Sequence, residues 1–175
     1  MSEPSPDTAP FPPEQIGGFL RLCAGEWMSL RSQFALGSIS ATDNDSAEDL
    51  DEDGDAWHSS ERGELVVAFL EAGTAGGAGG LQVGQKDGVA QQQLHFDAEG
   101  GFRSGEQRGR WQLWPDGSLE LVITGDGREV RERIWFTKPN LRLRSTVETG
   151  ADGSPGRASF SSEIRRVSRP AAPVS

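Results

Sequence analysis

The stretch EVRERIWFTKPNLRLR, residues 129–144, decides the fold that this sequence predicts. Apolar and charged residues alternate along it on both sides of a Pro139-Asn140 corner, which is typical of two antiparallel strands. Its dense fixed charge and aromatic surface would suit an anionic, flat, partly apolar ligand, or equally a solvated sheet edge. On the first arm, one face carries Val130, Glu132, Ile134 and Phe136.

The length and composition favour one acidic globular domain. The 175 residues include 23 glycines and 10 prolines, so part of the length is expected in loops. A formal net charge of -10 argues against nucleic acid and anionic membranes as partners. No apolar run approaches membrane-spanning length, and the N-terminal MSEPSPDTAPFPPE is unlike a signal peptide. A cytoplasmic protein with no membrane insertion is therefore predicted.

Two residue counts bear on chemistry. Lys86 and Lys138 are the only lysines, so the positive charge is almost all arginine, whose planar fork suits carboxylates. A base-composition bias of the gene would explain the same count. Cys23 is the only cysteine, which excludes an intramolecular disulfide and a zinc site made of cysteines alone. Its place on an apolar stripe favours a buried small hydrophobe over a nucleophile.

The N-terminal part of the chain predicts a disordered arm over 1–13, a short helix over 14–24 with Gly25 as its C-terminal cap, and a strand over 27–40. An acidic loop follows at 41–60. Within it Asp49, Asp51 and Asp53 match the opening of an EF-hand loop, but the twelfth position is Ser60 rather than glutamate. A mobile solvated loop is favoured there over a calcium site.

From residue 61 onward the pattern predicts strands joined by local turns. A glycine-alanine stretch at 72–80 predicts a flexible connection, and 168–175 a loose tail. One short helix and eight to ten short strands predict an all-β, up-and-down antiparallel barrel over 14–167. Besides the organising hairpin, the predicted strands are 64–70, 81–85, 91–97, 109–114, 118–124 and 158–167.

Catalytic motifs are mostly missing from the sequence. His58 and His95 are too few and too far apart for a histidine-rich metal centre, and no metal site is predicted. There is no P-loop, dinucleotide fingerprint or nucleophile elbow. What remains is a set of arginines, glutamates and tryptophans on predicted strands. Strict alternation favours Leu141 and Leu143 facing inward, with Arg142 and its neighbour Arg144 in solvent.

The hairpin resembles a known family at this point. Residues 132–136 (ERIWF) and 139–144 (PNLRLR) are similar to the S/U-type, CpcS/CpeS-like phycobiliprotein chromophore lyases of cyanobacteria and related plastids. Residues 25–32 (GEWMSLRS) resemble a Gly-x-Trp-x-Ser-x-Arg-Ser segment of that family. Weaker similarity lies at Asp116-Gly117 and at 163–165. The resemblance spans roughly residues 14–167.

This resemblance implies a lipocalin-like or fatty-acid-binding-protein-like barrel and a bilin lyase activity. The bound substrate would be a phycobilin, phycocyanobilin or phycoerythrobilin, with no prosthetic group. The partner would be an apo-phycobiliprotein subunit, of β-type phycocyanin or phycoerythrin or of allophycocyanin, which receives the bilin on a cysteine through a thioether. A homodimer or a heterodimer with a paralogue fits the family.

The resemblance also implies roles for individual residues. Glu132 would accept hydrogen bonds from pyrrole nitrogens and keep the bilin protonated, as the catalytic residue. Arginines such as Arg142 and Arg144 would pair with the two propionates. The remaining ligand-binding positions are Trp27 and Trp135 as apolar walls, with Ser29, Arg31 and Thr146. A non-catalytic bilin or hydrophobic-ligand carrier of lipocalin type is the alternative, and a chaperone-like partner of phycobiliprotein subunits is a third possibility.

Overall fold

A computed structural model describes residues 10–36, 58–73 and 76–168. Over these ranges the chain forms one short helix and ten antiparallel strands. Each strand pairs with its neighbour in sequence, and the first pairs with the last, so the sheet closes into a barrel. The predicted up-and-down barrel with one N-terminal helix is confirmed. Closure leaves no unpaired sheet edge, which explains why a chain of short strands adopts it.

The helix α1 runs over Ile16–Cys23. The strands are β1 Gly25–Ala35, β2 His58–Leu70, β3 Gly77–Gln85, β4 Gln91–Asp97, β5 Gly101–Ser104, β6 Gln107–Leu113, β7 Leu119–Gly125, β8 Arg128–Lys138, β9 Leu141–Gly150 and β10 Pro155–Arg165.

Several predicted boundaries are wrong. β2 begins at His58, inside the predicted acidic loop, and the short β5 was not predicted at all. β3 begins at Gly77, inside the predicted flexible connection. At Gly80 an added Cβ would lie 2.4 Å from the carbonyl oxygen of Leu94 on the next strand. The glycines therefore allow β3 and β4 to pack closely where their composition alone indicates a loop.

The helix closes one end of the barrel. Its buried residues Phe19, Leu20 and Cys23 face the lumen, and the Phe19 ring meets Phe136 of β8 edge-on at 5.3 Å. The complete burial of Cys23 confirms its prediction as a small core residue. The predicted cap, Gly25, instead begins β1 with a φ of +141°. A side chain there would meet the Arg165 guanidinium, so the position needs glycine.

The faces of the organising hairpin differ between its two arms. On β8, Ile134 and Phe136 are buried, as alternation predicts. On β9 the alternation holds but the inward face is the charged one: Arg142 is 3% exposed and shares the cavity lining with Arg144. The expectation that these arginines lie in solvent is wrong. Carboxylates on the neighbouring strands β8 and β10 compensate their charge inside the barrel.

Some predictions fall outside the described residues, namely those for 1–9, for the acidic run at 43–55 and for 169–175. The described end of the predicted arm, 10–13, lies along Trp114 and Gly117. Within the described ranges, no helix is long and apolar enough to cross a membrane. The same ranges hold no group of three or more His, Cys, Asp or Glu side chains arranged to bind a metal ion.

Candidate ligand-binding site

Four ionised side chains on β8, β9 and β10 form a linked array on the inner face of the barrel, here called the lumen cluster. Its members are Glu132, Arg142, Arg144 and Glu163. Nε of Arg142 donates to Glu163 at 2.5 Å. Arg144 donates from Nη1 to Glu163 at 3.1 Å and from Nε to Glu132 at 2.7 Å. The register explains the contacts, since Glu163 pairs directly with Arg142 and lies diagonal to Arg144.

The lumen cluster is electrically balanced, with two arginines and two glutamates. Its members are unequally buried: the Glu163 side chain is 0% exposed and that of Arg142 4%, while Arg144 and Glu132 reach 28% and 21%. Burial works to lower the pKa of Arg144, but the charges of Glu132 and Glu163 outweigh it, and the pKa is raised. Arg144 is therefore a permanent cation that a ligand can reach, whereas Arg142 is a cation held beneath it.

Trp27 contacts two guanidinium groups at the helix end of the lumen. Arg142 lies 4.6 Å and Arg165 4.2 Å from the centre of its ring. Its Nε1 donates to the carbonyl oxygen of Cys23 at 2.9 Å, so the polar atom of this buried ring is satisfied. Burial and the positive charge of Arg142 lower the pKa of Arg165. The cation–π contact with Trp27 helps to hold the Arg142 guanidinium in place inside the barrel.

The lumen beside the cluster has an apolar section lined by residues of β2 to β5, β7 and β8, with a volume of about 110 Å³. Arg142, Arg144 and Glu132 form its charged edge, and Gln92 and Ser104 add neutral polar groups. Aliphatic and aromatic side chains supply most of its wall. They include Leu81, Leu94, Phe96, Phe102, Leu121 and Ile134.

A second, polar section of about 240 Å³ lies on β1 to β3, β9 and β10, further from the helix. Val83 and Arg144 line both sections, so the two are continuous past Arg144. Arg31 is exposed here and donates to Ser159 at 3.3 Å. Hydroxyl and further charged groups complete the lining, from Ser29, Glu61, Arg62, Thr146 and Ser161. The lumen is thus apolar on one side and polar on the other.

The structure brings together most of the site residues that the sequence suggests. Glu132, Arg142 and Arg144 line the apolar section, and Arg144 with Ser29, Arg31 and Thr146 lines the polar section. The two tryptophans differ from expectation. Trp27 is fully buried beneath Arg142 and supports the site from below.

Trp135 lies on the outer face of β8 and does not contribute to the cavity wall. Its ring packs at 6.3 Å from that of Phe160 on β10. The physical reason is the alternation of side chains along β8: Trp135 follows the inward residue Ile134, and consecutive residues of a strand point to opposite faces. The prediction that Trp135 forms an apolar wall of the cavity is therefore wrong. Aliphatic residues and two stacked phenylalanines, Phe96 and Phe102, take that place.

Sequence reasoning did not assign a role to Glu163, which bonds both arginines of the lumen cluster. The signal was present in β10, where Ser161, Glu163 and Arg165 alternate with Phe160 and Ile164. The two apolar residues are exposed at 42% and 52%. The same inversion of polar and apolar faces occurs on β9, and together they indicate a polar lumen wall.

Comparison with known proteins gives the family. The chain is 44% identical over 166 residues to the chromophore lyase CpcS/CpeS 1 of Paulinella chromatophora, covering 94% of this chain and 96% of that one. This chain belongs to the CpcS/CpeS chromophore lyase family. The CpcS/CpeS 1 protein of Trichodesmium erythraeum is 41% identical over 46% of this chain and 45% of its own length. A family model described as CpeS-like protein matches residues 98–166.

The fold agrees with CpcS/CpeS membership. A solved S-type phycobiliprotein lyase, CPES from Guillardia theta, superposes with a TM-score of 0.64 at 18% identity, covering 90% of this chain and 96% of that one. At this identity the likeness concerns the barrel itself. The resemblance inferred from residues 132–144 is confirmed, and so is the expectation of a lyase at the level of the family.

Proposed function

We propose that this CpcS/CpeS family member binds a phycobilin non-covalently in its lumen and attaches it to a cysteine of an apo-phycobiliprotein subunit. The observation that carries the proposal is the two-sided lumen divided by Arg144, with an apolar wall on one side and arginines, hydroxyls and two glutamates on the other. A linear tetrapyrrole has a matching division, because its conjugated rings carry apolar substituents and its two propionates are anionic.

Arg144 and Arg31 are the side chains best placed for the propionates. Arg144 is reachable from both sections of the lumen, and Arg31 is exposed with one hydroxyl partner, Ser159. Arg142 is already held by Glu163 and covered, so its part is to orient Glu163 and, through it, Arg144. Arg144 also has partners in the free protein, so a propionate would compete with Glu132 for its Nε and Nη2 groups.

Release of Glu132 from Arg144 has a chemical consequence. Once a propionate takes over the guanidinium, the Glu132 carboxylate is free to accept hydrogen bonds from the pyrrole N–H groups of the bound bilin. A carboxylate at that position stabilises the protonated, more electrophilic chromophore. Binding of the propionate and activation of the conjugated system are then coupled through a single ion pair.

The covalent step uses a nucleophile from the partner. The acceptor thiol adds across the exocyclic double bond of the bilin, so that a carbon–sulfur bond forms, the double bond is lost and the thiol proton passes to carbon. Cys23 takes no part, since it is fully buried and desolvation raises the pKa of its thiol despite the opposing charge of Arg142. The barrel contributes by holding one bilin conformation, which favours addition at one carbon.

The identity of the bilin and of the acceptor belongs to the same proposal. Phycocyanobilin and phycoerythrobilin share the propionates and the conjugated system that the lumen would recognise. Subunits of β-type phycocyanin or phycoerythrin and of allophycocyanin are the proposed acceptors, in the cytoplasm. Action as a homodimer or with a paralogue is compatible with this site, since every residue named for it lies on one chain.

Co-expression of the chain with bilin-synthesising enzymes and each candidate apo-subunit tests the proposal. Covalent, zinc-fluorescent bilin on an acceptor, formed only when the chain is present, is the expected result. A coloured chain with no modified acceptor in the whole panel would make it a carrier, the alternative function. A chain that stays colourless would overturn bilin binding itself. Co-expression with Arg144→Leu provides the matched control for the lumen.

A further inference from the structure

The outer face of β5 and β6 carries a row of exposed arginines, Arg103, Arg108 and Arg110, here called the basic face. Arg103 and Arg108 are direct partners across the β5–β6 hairpin. Arg110 pairs with Gly101, which lies two residues before Arg103, so it is diagonal to Arg103 on the same face. His95 of β4 extends the row, since it pairs with Arg103 from the other side.

Like charges placed directly opposite each other on neighbouring strands destabilise a sheet. Within the described part of the chain, none of these three arginines makes an ion pair. β8, which lies two strands from β6, shows the usual arrangement: Arg131 bonds Glu120 and Glu129, and Arg133 bonds Asp116. Among the described residues no carboxylate forms an ion pair with the basic face, so an anionic partner would relieve the repulsion between its arginines.

The position of the basic face relates it to the lumen. β5 has four residues, and its last residue, Ser104, pairs with Leu94, so β4 extends three residues further toward the end of the barrel away from the helix. The wall is thus lower at the β5–β6 hairpin than at the adjacent strand β4. Ser104 itself lines the apolar section of the lumen and bonds Gln92 at 2.7 Å. A partner seated on the basic face would lie beside this low part of the wall.

The surroundings favour a protein over a small anion. The groove beside the basic face has a volume of about 690 Å³, and both Arg103 and Arg108 line it together with His95. Its other side carries three carboxylates, Glu71, Asp97 and Glu99, which would repel a free polyanion. A protein surface can place acidic groups on the arginines and neutral or basic groups on the carboxylates. The net charge of -10 argues against nucleic acid as the partner.

We propose that the basic face is the docking surface for an acidic patch of the acceptor subunit, which it seats next to the low wall of the barrel. This inference rests on the proposed function, because it names the surface that the acceptor of that reaction uses. Charge complementarity of this kind acts mainly on the rate of encounter and on orientation, and salt screens it.

The test compares two double variants that change the net charge equally. Arg103→Glu with Arg108→Glu reverses the basic face, and Arg128→Glu with Arg157→Glu reverses exposed arginines at the ends of β8 and β10. Biolayer interferometry measures binding of each protein to immobilised apo-subunits of phycocyanin, phycoerythrin and allophycocyanin in 50 mM and 300 mM salt. Bilin titration of the free proteins shows whether each variant keeps an intact lumen.

The basic-face variant is expected to bind the acceptor at least ten-fold more weakly than wild type at low salt, and to lose most of the salt dependence. Its bilin affinity should stay within two-fold of wild type, as should the acceptor affinity of the control variant. Equal losses in both variants, or an unchanged basic-face variant, would overturn the inference while leaving bilin transfer intact. Wild-type protein that binds no subunit of the panel would overturn it as well, and failure to bind bilin would instead remove the proposed function.

Discussion

Glu163 and Arg142 form an ion pair at 2.5 Å, and their side chains are 0% and 4% exposed. Two opposite charges this deep in a barrel stabilise each other only as a pair, because either charge alone would be desolvated without compensation. Arg144 joins the pair through the second oxygen of Glu163, so one carboxylate organises both arginines of the lumen cluster.

Replacing Glu163 with glutamine should therefore destabilise the protein strongly. Removal of one member of a buried pair costs about 3–5 kcal/mol, because the other charge is left buried and unpaired. Urea unfolding of Glu163→Gln at pH 7 measures the loss. Glu148→Gln is the matched control, since its partner Arg128 is 68% exposed; there the loss should stay below about 1 kcal/mol. Equal losses in the two variants would show that the buried pair has no special role.

The contribution of Arg144 to binding can be isolated with a modified ligand. The dimethyl ester of phycocyanobilin lacks both propionate charges, so its affinity for wild-type protein should be about ten-fold or more below that of the free acid. In Arg144→Leu the free acid should lose part of this advantage over the ester, because Arg31 still pairs with one propionate, while the ester should bind both proteins about equally. Fluorescence titration of the four combinations measures the coupling. Additive losses would mean that Arg144 does not contact a propionate, and Arg133→Leu on the outer face serves as the control.

Replacing Glu132 with glutamine should separate binding from transfer. The amide keeps the size of the side chain but cannot stabilise a protonated bilin, so transfer should slow by about 100-fold, the usual range for a positioned acid–base group. Binding should change little, because Arg144 stays available to the propionate. Stopped-flow absorbance of the loaded protein mixed with apo-subunit gives the rate. Glu129→Gln, on the outer face of the same strand, controls for the loss of charge.

Cys23 provides a test of where the nucleophile comes from. Its thiol is buried and its pKa is raised by desolvation, so the folded protein should resist iodoacetamide at pH 8. Cys23→Ala should keep bilin transfer within two-fold, at the expense of about 1 kcal/mol of stability from the small cavity. A folded Cys23→Ala protein without transfer activity would place a covalent step on this chain and contradict the proposed reaction.

The turn at Asp116 predicts a defined pH dependence of stability. Ser118 donates to this carboxylate from its backbone and hydroxyl, Arg133 also bonds it, and these contacts lower its pKa below 3.8. Because the pKa of this carboxyl is lower in the folded protein than in the unfolded chain, its ionised form stabilises the fold at pH values above the unfolded pKa. That stabilisation is lost as the pH falls through the folded-state pKa. Asp116→Asn should thus be less stable than wild type at pH 6, with the difference shrinking below about pH 3.8. A difference that grew in acid would contradict this assignment.

The barrel could be predicted from the sequence because its signals are local. Period-two alternation and a two-residue corner at 139–140 place strands wherever they occur, and β4 was predicted with both ends as observed. The predicted strand at 81–85 is shorter than β3, because the glycines before it indicate a loop. Their role in the strand depends on the close approach of β4 at Leu94. β5 was missed because four residues are too few to show a period. In both places the strand is fixed by its neighbours rather than by its own composition.

The candidate site was only partly predictable for a related reason. Alternation places Arg142 and Leu143 on opposite faces of β9 but does not say which face points into the barrel. The assumption that the apolar face points inward wrongly placed Arg142 in solvent. The deciding fact is Glu163, which is 21 residues away in sequence and directly opposite Arg142 in space. The family resemblance assigned Arg142 and Arg144 to the ligand-binding site, whereas periodicity alone placed them in solvent. The resemblance also assigned Trp135 to the site, but this residue points outward because it directly follows the inward residue Ile134.

The most direct test of the central claim is transfer between purified components. Wild-type protein loaded with phycocyanobilin is mixed with each apo-subunit, next to a reaction with free bilin alone, and the acceptor peptides are analysed by mass spectrometry. We predict one thioether adduct, on one cysteine, formed at least ten-fold faster with the protein than without it, and lost in Arg144→Leu. The same mixture of adducts at the same rate in both reactions would contradict it.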